Sequence, residues 1–548
     1  MNVRKTTVPP PSESPAAAGP DKPAGVKPVS RRLARAVARH LEGNREGALK
    51  ELEQAVADGD RSAEIYQALG QVQFELERYQ DSAASFLELL KLEPSNSEAC
   101  FNVAVCYERL GCWQEAAEHY KRAAEAGFQR AQAHLGLGIC LLHLGLHKQA
   151  VAAFDKALER DPEMEVAWLG KAVALQQEGH GAEAAALYRR VLQRNPCSRE
   201  SLNNLIALGL AERDYQMVRE SAEKLLELDS QSLTALQGLA ACAFASEDYE
   251  LAAKYCAKLT SLAPDNFQGW YNLGLARHKG GLLEEAVEAY EQAVRLSPDS
   301  VQAFTNLGIA RQELGHLEAA RQAYERAAQL DAAATTPLWN LGLALESAGE
   351  LDEAANAYAE LLKRSPNSEE ARFRLGFVQL QRGDYQGSAE NFQGCLRLRK
   401  DWPEAQLNLA LACWKLGKPE LAEAAYHQVL ESDPECLDAL RGLAALALEQ
   451  NDFEQALEYH KRLISLGERS PEVLYNAAVL LQKAGQVEAA AELYQQAISE
   501  KADFAEALLN LGHALHALGR EQEALSCWSK ALEAKPELAQ GYFAPGQN

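Results

Sequence analysis

Long apolar runs are missing from this sequence of 548 residues. No stretch reaches the roughly 18 consecutive apolar residues that a helix needs to cross a bilayer. Residues 1–28 also lack the apolar core of a secretory signal peptide. The sequence therefore predicts no membrane partner, and we expect the protein to be cytoplasmic.

Cysteine pairing and basic charge are also lacking. The eleven cysteines are an odd number scattered along the chain, which is typical of a reducing compartment rather than of a disulfide framework. The 55 Lys and Arg residues face 78 Asp and Glu residues, so the net charge is −23. Because phosphate-backbone binding needs clustered basic residues, the sequence predicts no nucleic-acid partner. A neutral or basic protein client is the expectation.

Recognisable catalytic motifs are missing as well. The sequence contains no Gly-rich phosphate loop, no nucleophile elbow and no cysteine pair at zinc-binding spacing. It also places no acid, base and nucleophile where they would converge. The sequence therefore predicts a protein that is not an enzyme and that needs no cofactor.

A repeat of 34 residues runs through the sequence instead, and residues 267–300 show it clearly. Leu273 and Gly274 lie on one face of a first predicted helix. Gly281 ends that helix, because a residue without Cβ adopts the left-handed conformation at little cost. Tyr290 lies on the buried face of a second predicted helix. A fixed period of this length indicates a helical solenoid.

Fifteen such repeats are predicted, between residues 29 and 538. Residues 1–28 are predicted to be a disordered tail rich in Pro and Ala, and residues 539–548 a short C-terminal tail. Positions within a repeat are numbered from its first residue. The first residues are 29, 63, 97, 131, 165, 199, 233, 267, 301, 335, 369, 403, 437, 471 and 505.

The pattern within each repeat resembles the tetratricopeptide repeat family. It has Leu at position 7, Gly or Ala at position 8, Ala at position 20, Tyr or Phe at position 24 and Pro at position 32. The resemblance implies an all-α fold, a right-handed superhelical solenoid of about fifteen helix-turn-helix repeats. It also implies a non-catalytic scaffold that binds an extended protein segment in a concave groove lined by the first helix of each repeat. A client-recruiting subunit of an enzyme complex and an RNA-binding helical repeat stay open as alternatives.

Asparagine recurs at position 6, beside the packing positions of the first helix. Its amide can bond both polar groups of a client's main chain, and this ladder is similar to that in the repeats of O-linked N-acetylglucosamine transferase. A local preference of the helix for Asn is the alternative interpretation. The predicted binding residues are Asn102, Asn204, Asn272, Asn306, Asn340, Asn408, Asn476 and Asn510, with the position-5 aromatics Tyr271, Trp339 and Phe373 as side-chain anchors.

One stretch of the sequence combines cysteine and histidine, which are metal ligands. It comprises Cys100, Cys106, Cys112, His119, His134, Cys140, His143 and His147. Cys106 and Cys140 both occupy position 10, however, where most other repeats have alanine. Because that position requires a small apolar residue, no metal site is predicted.

The two ends of the array differ. Arg32 and Arg35 occupy packing positions of the first repeat, as expected of a terminal repeat with a wettable face. The last repeat has no visible polar helix to cover it, and its apolar edge near Leu508, Leu511 and Trp528 is predicted to be exposed. End-to-end self-association is the expectation.

Overall fold

The computed structural model describes residues 31–126 and 131–541, and in these ranges the chain forms 30 α-helices, one 3₁₀ helix and no strand. The predicted all-α fold is confirmed. The chain divides into two compact bodies, Met1–Ser246 and Glu247–Asn548. Both predicted tails lie almost wholly outside the described residues. No helix of the described ranges is long and apolar enough to cross a membrane.

The N-terminal body, Met1–Ser246, contains helices α1 to α13. Odd-numbered helices are the first helices of the repeats, and even-numbered helices are the second helices. Their bounds are α1 Arg31–Leu41, α2 Arg45–Ala57, α3 Ala63–Glu75, α4 Tyr79–Leu92, α5 Ser97–Leu110, α6 Trp113–Glu125, α7 Ala131–His143, α8 His147–Arg160, α9 Glu165–Gln177, α10 Gly181–Arg194, α11 Arg199–Glu212, α12 Tyr215–Leu228 and α13 Leu233–Ala245.

The C-terminal body, Glu247–Asn548, contains helices α14 to α30 in the same alternation. A 3₁₀ helix, Pro536–Gly541, follows the last α-helix. The α-helices are α14 Tyr249–Leu262, α15 Phe267–Lys279, α16 Leu283–Leu296, α17 Val301–Glu313, α18 Leu317–Leu330, α19 Thr336–Ser347, α20 Leu351–Arg364, α21 Glu369–Gln381, α22 Tyr385–Leu398, α23 Pro403–Lys415, α24 Pro419–Ser432, α25 Leu437–Glu449, α26 Phe453–Ser465, α27 Pro471–Lys483, α28 Val487–Glu500, α29 Ala505–Ala517 and α30 Glu521–Ala534.

Side-chain caps and left-handed residues set the helix ends. The Asn266 side chain accepts a hydrogen bond from the backbone N–H of Gly269 at the start of α15. Gly281, at position 15, has φ +79° and ends the preceding turn. Four repeats place a non-glycine residue at this position in the same left-handed region, namely Glu77, Arg213, Glu247 and Asn451. The chain therefore accepts some backbone strain at these four turns.

The core lies between the helices of consecutive pairs. The position-24 ring of Tyr290 is fully buried against Gly274, and a Cβ added to that glycine would lie 2.6 Å from the ring. Tyr324 packs in the same way against Gly308. A small residue at position 8 and a large ring at position 24 thus let two helices approach closely, as the repeat pattern predicted.

Candidate protein-binding surface

The predicted asparagine ladder lies on the first helices of both bodies. Six of its residues belong to the C-terminal body and two, Asn102 and Asn204, to the N-terminal body. All eight side chains are half-buried, so each keeps some contact with solvent. The longest unbroken run comprises Asn272, Asn306 and Asn340 on the first helices α15, α17 and α19.

Two amides of the ladder link neighbouring repeats. The Asn306 Nδ2 donates to the hydroxyl of Tyr271, one repeat earlier, at 3.0 Å. The Asn510 Nδ2 donates to the hydroxyl of Tyr475 at the same distance. Each bond uses one of the two N–H donors of its amide, which leaves the second N–H and the carbonyl oxygen for a client.

Two further amides bond within their own helix. The Asn272 Oδ1 accepts from Gln268 at 2.8 Å, and the Asn408 Nδ2 donates to the backbone carbonyl of Glu404 at 2.8 Å. Both partners lie four residues earlier. These contacts are of the kind that the alternative interpretation, a local helix preference, requires.

Three amides of the ladder have no internal partner. Within the described residues, the side chains of Asn102, Asn340 and Asn476 make no hydrogen bond. Because they are half-buried rather than fully hydrated, they are the members of the ladder that a client's main chain would satisfy best.

The aromatic side chains at position 5 are half-buried and pack on the ring at position 24 of the same repeat. Trp339 lies edge-on to Tyr358 with ring centroids 5.9 Å apart. Phe373 lies edge-on to Phe392 at 5.4 Å and stacks on Trp402 at 4.7 Å. Tyr271 follows the same arrangement. These rings therefore support the packing of the repeats and expose only part of their area.

An apolar strip runs beside the ladder at position 9, one helical turn beyond position 5. In the C-terminal body its members are half-exposed: Leu275, Ile309, Leu343, Phe377, Leu411 and Val479. Together with the position-5 residues, it makes the first-helix surface mixed, with amides next to partly exposed apolar side chains.

Most buried tyrosines at position 24 have a hydrogen-bond acceptor that the repeat pattern did not reveal. Five of them donate a hydrogen bond to the residue at position 12 of the same repeat. Burial raises the pKa of Tyr324 and Tyr358 above the usual range, so their hydroxyls stay protonated and act as donors. The pairs are Tyr120–Glu108 at 2.5 Å, Tyr188–Gln176 and Tyr324–Gln312 at 2.8 Å, and Tyr358–Glu346 and Tyr494–Gln482 at 2.9 Å.

The charge of the acceptor at position 12 correlates with the residue type at position 6 of the next repeat. A neutral Gln is followed by a neutral Asn three times: Gln176 and Asn204, Gln312 and Asn340, Gln482 and Asn510. The acidic Glu346 is followed by Arg374, whose Nη1 lies 3.1 Å from Glu346 Oε1. Glu108 is followed by Gly136. A search for polar residues at this fixed spacing would have found these pairs in the sequence.

The cysteine and histidine stretch does not assemble a metal site among the described residues. Cys106 and Cys140 are fully buried. Removal from water raises the pKa of Cys106 to about 11, so its thiol stays protonated. His143 stacks on Trp113 with ring centroids 3.9 Å apart, as a packing residue would.

The exposed apolar residues of the last repeat differ from those predicted. Leu508 and Leu511 are each only 4% exposed, so the prediction was wrong for them. Leu511 packs in a core that α29 shares with α28 and α30. Trp528 is half-buried and donates to the carbonyl of Leu509. Exposure falls instead on α30, where Leu525 is 63% and Leu532 39% exposed.

Consecutive helix pairs with this packing define a helical-repeat protein, and sequence models identify the family. The chain belongs to the tetratricopeptide repeat family. One model described as "Tetratricopeptide repeat" matches residues 33–96, 68–129, 111–165, 305–369, 340–403, 373–425 and 407–471. Related models match residues 141–208, 276–315, 481–519 and 505–538.

Several solved structures match the chain at low sequence identity and low TM-score. A structure titled "Structure of Naa15/Naa10 bound to HypK-THB" is 14% identical, with a TM-score of 0.34, over 94% of this chain and 97% of the other. The Cut9-Hcn1 structure is 13% identical, with a TM-score of 0.30, over 85% and 98%. A repeat protein from Cytophaga hutchinsonii is 18% identical, with a TM-score of 0.40, over 44% and 99%. No curated protein sequence matched the chain.

Proposed function

We propose that the chain is a non-catalytic scaffold that binds an extended segment of a client protein along the first helices of its repeats. The observation that carries this proposal is that three amides have no partner in the part of the protein that the structure describes: Asn340 and Asn476 in the C-terminal body and Asn102 in the N-terminal body. Each is half-buried on the surface of a first helix and makes no hydrogen bond within the described residues. An amide offers both a donor and an acceptor, which is what a client's peptide group requires.

The apolar strip supplies the second part of the contact. Leu343 lies one turn beyond Asn340 on α19, and Phe377 occupies the same position on α21. Both are half-exposed. A client with apolar side chains at intervals would bury them there, while its main chain pairs with the amides.

The geometry of repeats favours an extended client. First helices of neighbouring repeats lie roughly 10 Å apart, and an extended chain advances about 3.3 Å per residue. One repeat then meets about every third residue of the client. Because each hydrogen bond contributes only about 0.5–1.5 kcal/mol, several repeats must act together to give micromolar affinity.

A peptide selection tests the proposal. Blocked peptides of about twenty residues would be selected on the full-length protein from a random library, and their affinities measured by fluorescence anisotropy. We expect Asn340→Ala and Asn476→Ala each to weaken binding about fivefold, because each removes a contact of about 1 kcal/mol.

The matched control is Asn356→Ala. Asn356 lies on the second helix of the same repeat as Asn340 and is exposed, so its removal should leave affinity unchanged. Recovery of no peptide, or equal affinities for the wild type and all three variants, would contradict the proposal.

The client's charge follows from the composition of the scaffold. With a net charge of −23, the scaffold attracts basic segments at long range and repels acidic ones. We propose a neutral or basic client in the cytoplasm. Selected peptides enriched in Asp and Glu would be the opposite result.

The last repeat gives a further contact, which we propose to be self-association through α30. Leu525 and Leu532, 63% and 39% exposed, would be buried by a second copy. Sedimentation should show a mass that rises with concentration, and the double substitution Leu525→Lys and Leu532→Lys should abolish the rise. A wild type that is monomeric at all concentrations would exclude this contact.

A further inference from the structure

Glu108 differs from the other position-12 residues that accept a tyrosine hydroxyl, because it is a carboxylate without a paired cation among the described residues. Its carboxylate accepts the Tyr120 hydroxyl at 2.5 Å and is half-buried on α5 of the N-terminal body. Burial raises the pKa of Glu108 above its usual value, and the Tyr120 bond, Arg109 and His143 offset this in part. In the part of the chain that the structure describes, it forms no ion pair.

Glu346 occupies the equivalent position in the C-terminal body and shows what is missing at Glu108. Its carboxylate likewise accepts a tyrosine hydroxyl, that of Tyr358, at 2.9 Å. It is also paired with the Arg374 guanidinium, supplied from position 6 of the next repeat at 3.1 Å. The chain therefore neutralises one of these two carboxylates with a residue of its own.

Gly136 explains why the chain supplies no such cation to Glu108. It lies at position 6 of the next repeat, where Glu346 has Arg374. The Tyr120 ring packs directly on it, and a Cβ there would lie 2.3 Å from the ring. With the ring in this place position 6 cannot supply a cation, and Arg109 and His143 act on Glu108 without forming an ion pair with it.

The neighbouring surface is suited to a long basic side chain. Leu135 and Ile139, at positions 5 and 9 of the next first helix, are both half-exposed. The methylene groups of an arginine or lysine pack on such apolar surface while the charged end reaches an acid. The planar guanidinium also matches a carboxylate better than an ammonium does.

We propose that Glu108 is the binding point for a basic side chain of the client, preferably arginine, which takes the place that Arg374 takes beside Glu346. This inference rests on the proposed scaffold function and adds the chemistry of one client residue. The proposed pairing depends on one carboxylate. A substitution at Glu108 therefore distinguishes it from the general attraction of an acidic protein for basic peptides.

The experiment compares two peptides and two variants. The probe is an end-blocked, fluorescein-labelled nonapeptide of alternating Ala and Ser with one central Arg. The reference peptide carries citrulline, which has the same shape without the charge. We expect wild-type protein to bind the arginine peptide about tenfold more tightly, because charge-assisted hydrogen bonds are the stronger ones.

Glu108→Gln should abolish this preference while leaving the fold intact. Gln already accepts the position-24 hydroxyl at Gln176, Gln312 and Gln482. Glu346→Gln is the matched control, because it removes the same formal charge from a carboxylate that Arg374 already occupies. It should retain the preference. Equal effects of the two variants would overturn the inference.

A gain of binding provides the second arm. Arg374→Asn leaves Glu346 without its cation, and Asn is the residue that eight repeats already have at this position. We expect the number of arginine-selective sites to rise from one to two. No added site would count against the inference. Wild type that binds both peptides equally, or neither at millimolar concentration, would refute the inference. The scaffold function is tested separately, by the selection of longer peptides.

Discussion

The Asn306 side-chain amide donates to the Tyr271 hydroxyl at 3.0 Å, across the boundary between two repeats. The same pair recurs at Asn510 and Tyr475. These bonds give position 6 a structural role wherever position 5 of the previous repeat is tyrosine. Asparagine at this position therefore bonds neighbouring repeats together in some places, and in others within the described ranges its side chain makes no hydrogen bond between repeats.

This relationship predicts that members of the ladder differ in their effect on stability. Asn306→Ala should destabilise the repeats around α15 to α17 by about 1 kcal/mol, the value of one hydrogen bond. Asn340→Ala, which removes no internal bond, should cost less than about half of that. Amide hydrogen exchange is the measurement, since long arrays unfold locally rather than in one step.

A double-mutant cycle with Tyr271→Phe is the control. If the bond carries the effect, the second substitution adds little once Asn306 is gone, and the coupling energy is about 1 kcal/mol. Additive effects would show that packing, not this hydrogen bond, stabilises the boundary.

The turn residues give a second prediction. Arg213 has φ +59° at position 15, where most repeats have glycine. A left-handed backbone costs a non-glycine residue about 1–2 kcal/mol. Replacing the residue by glycine removes this strain, but glycine also makes the unfolded chain more flexible, which offsets part of the gain in stability. Arg213→Gly should therefore stabilise the neighbouring helices by about 0.5–1 kcal/mol, measured by hydrogen exchange.

Gly111→Ala is the inverse control. Gly111 has φ +74° and open space around its Cα, so an added methyl group meets no atom and introduces backbone strain alone. It should destabilise by a similar amount. A destabilising Arg213→Gly would mean that the arginine side chain makes a contact worth more than the strain.

Glu108 gives a prediction about pH. Burial raises the pKa of Glu108 in the folded protein above the usual value of a glutamate, so the folded state holds the proton more tightly than the unfolded state does. For an acid shifted in this direction, the contribution to stability is present at low pH and is lost as pH rises through and above 4.5. Glu108→Gln removes this loss.

The measurement is amide hydrogen exchange in α5 to α7 of the wild type and of Glu108→Gln at several pH values, each referred to the intrinsic exchange rate at that pH. The variant's stability relative to the wild type should increase from pH 4 towards neutral pH, and other carboxylates cancel in the difference. A constant difference across this range would mean that Glu108 ionises as readily folded as unfolded.

Most of the fold could be predicted from the repeat pattern, because each signal in the pattern acts on residues close to it in the chain. Gly281 ends a turn, Gly274 admits a ring, and helix α15 spans the residues that the periodicity predicted. The candidate site was less predictable. Whether the Asn306 amide is free or bonded depends on Tyr271, 35 positions earlier, and on the distance between two helices. Position within a repeat does not report that distance.

The Glu346 and Arg374 pair allows the coupling between positions 12 and 6 to be tested directly. The Arg374 side chain is 40% exposed and that of Glu346 14%. Because solvent screens part of the pair, Arg374→Asn should cost only about 1 kcal/mol. Adding Glu346→Gln should restore most of this, since Gln with Asn is the combination found at Gln312 and Asn340. Hydrogen exchange in α19 to α21 measures both. If the double variant is no more stable than Arg374→Asn alone, the recurring match between these two positions does not reflect an energetic coupling.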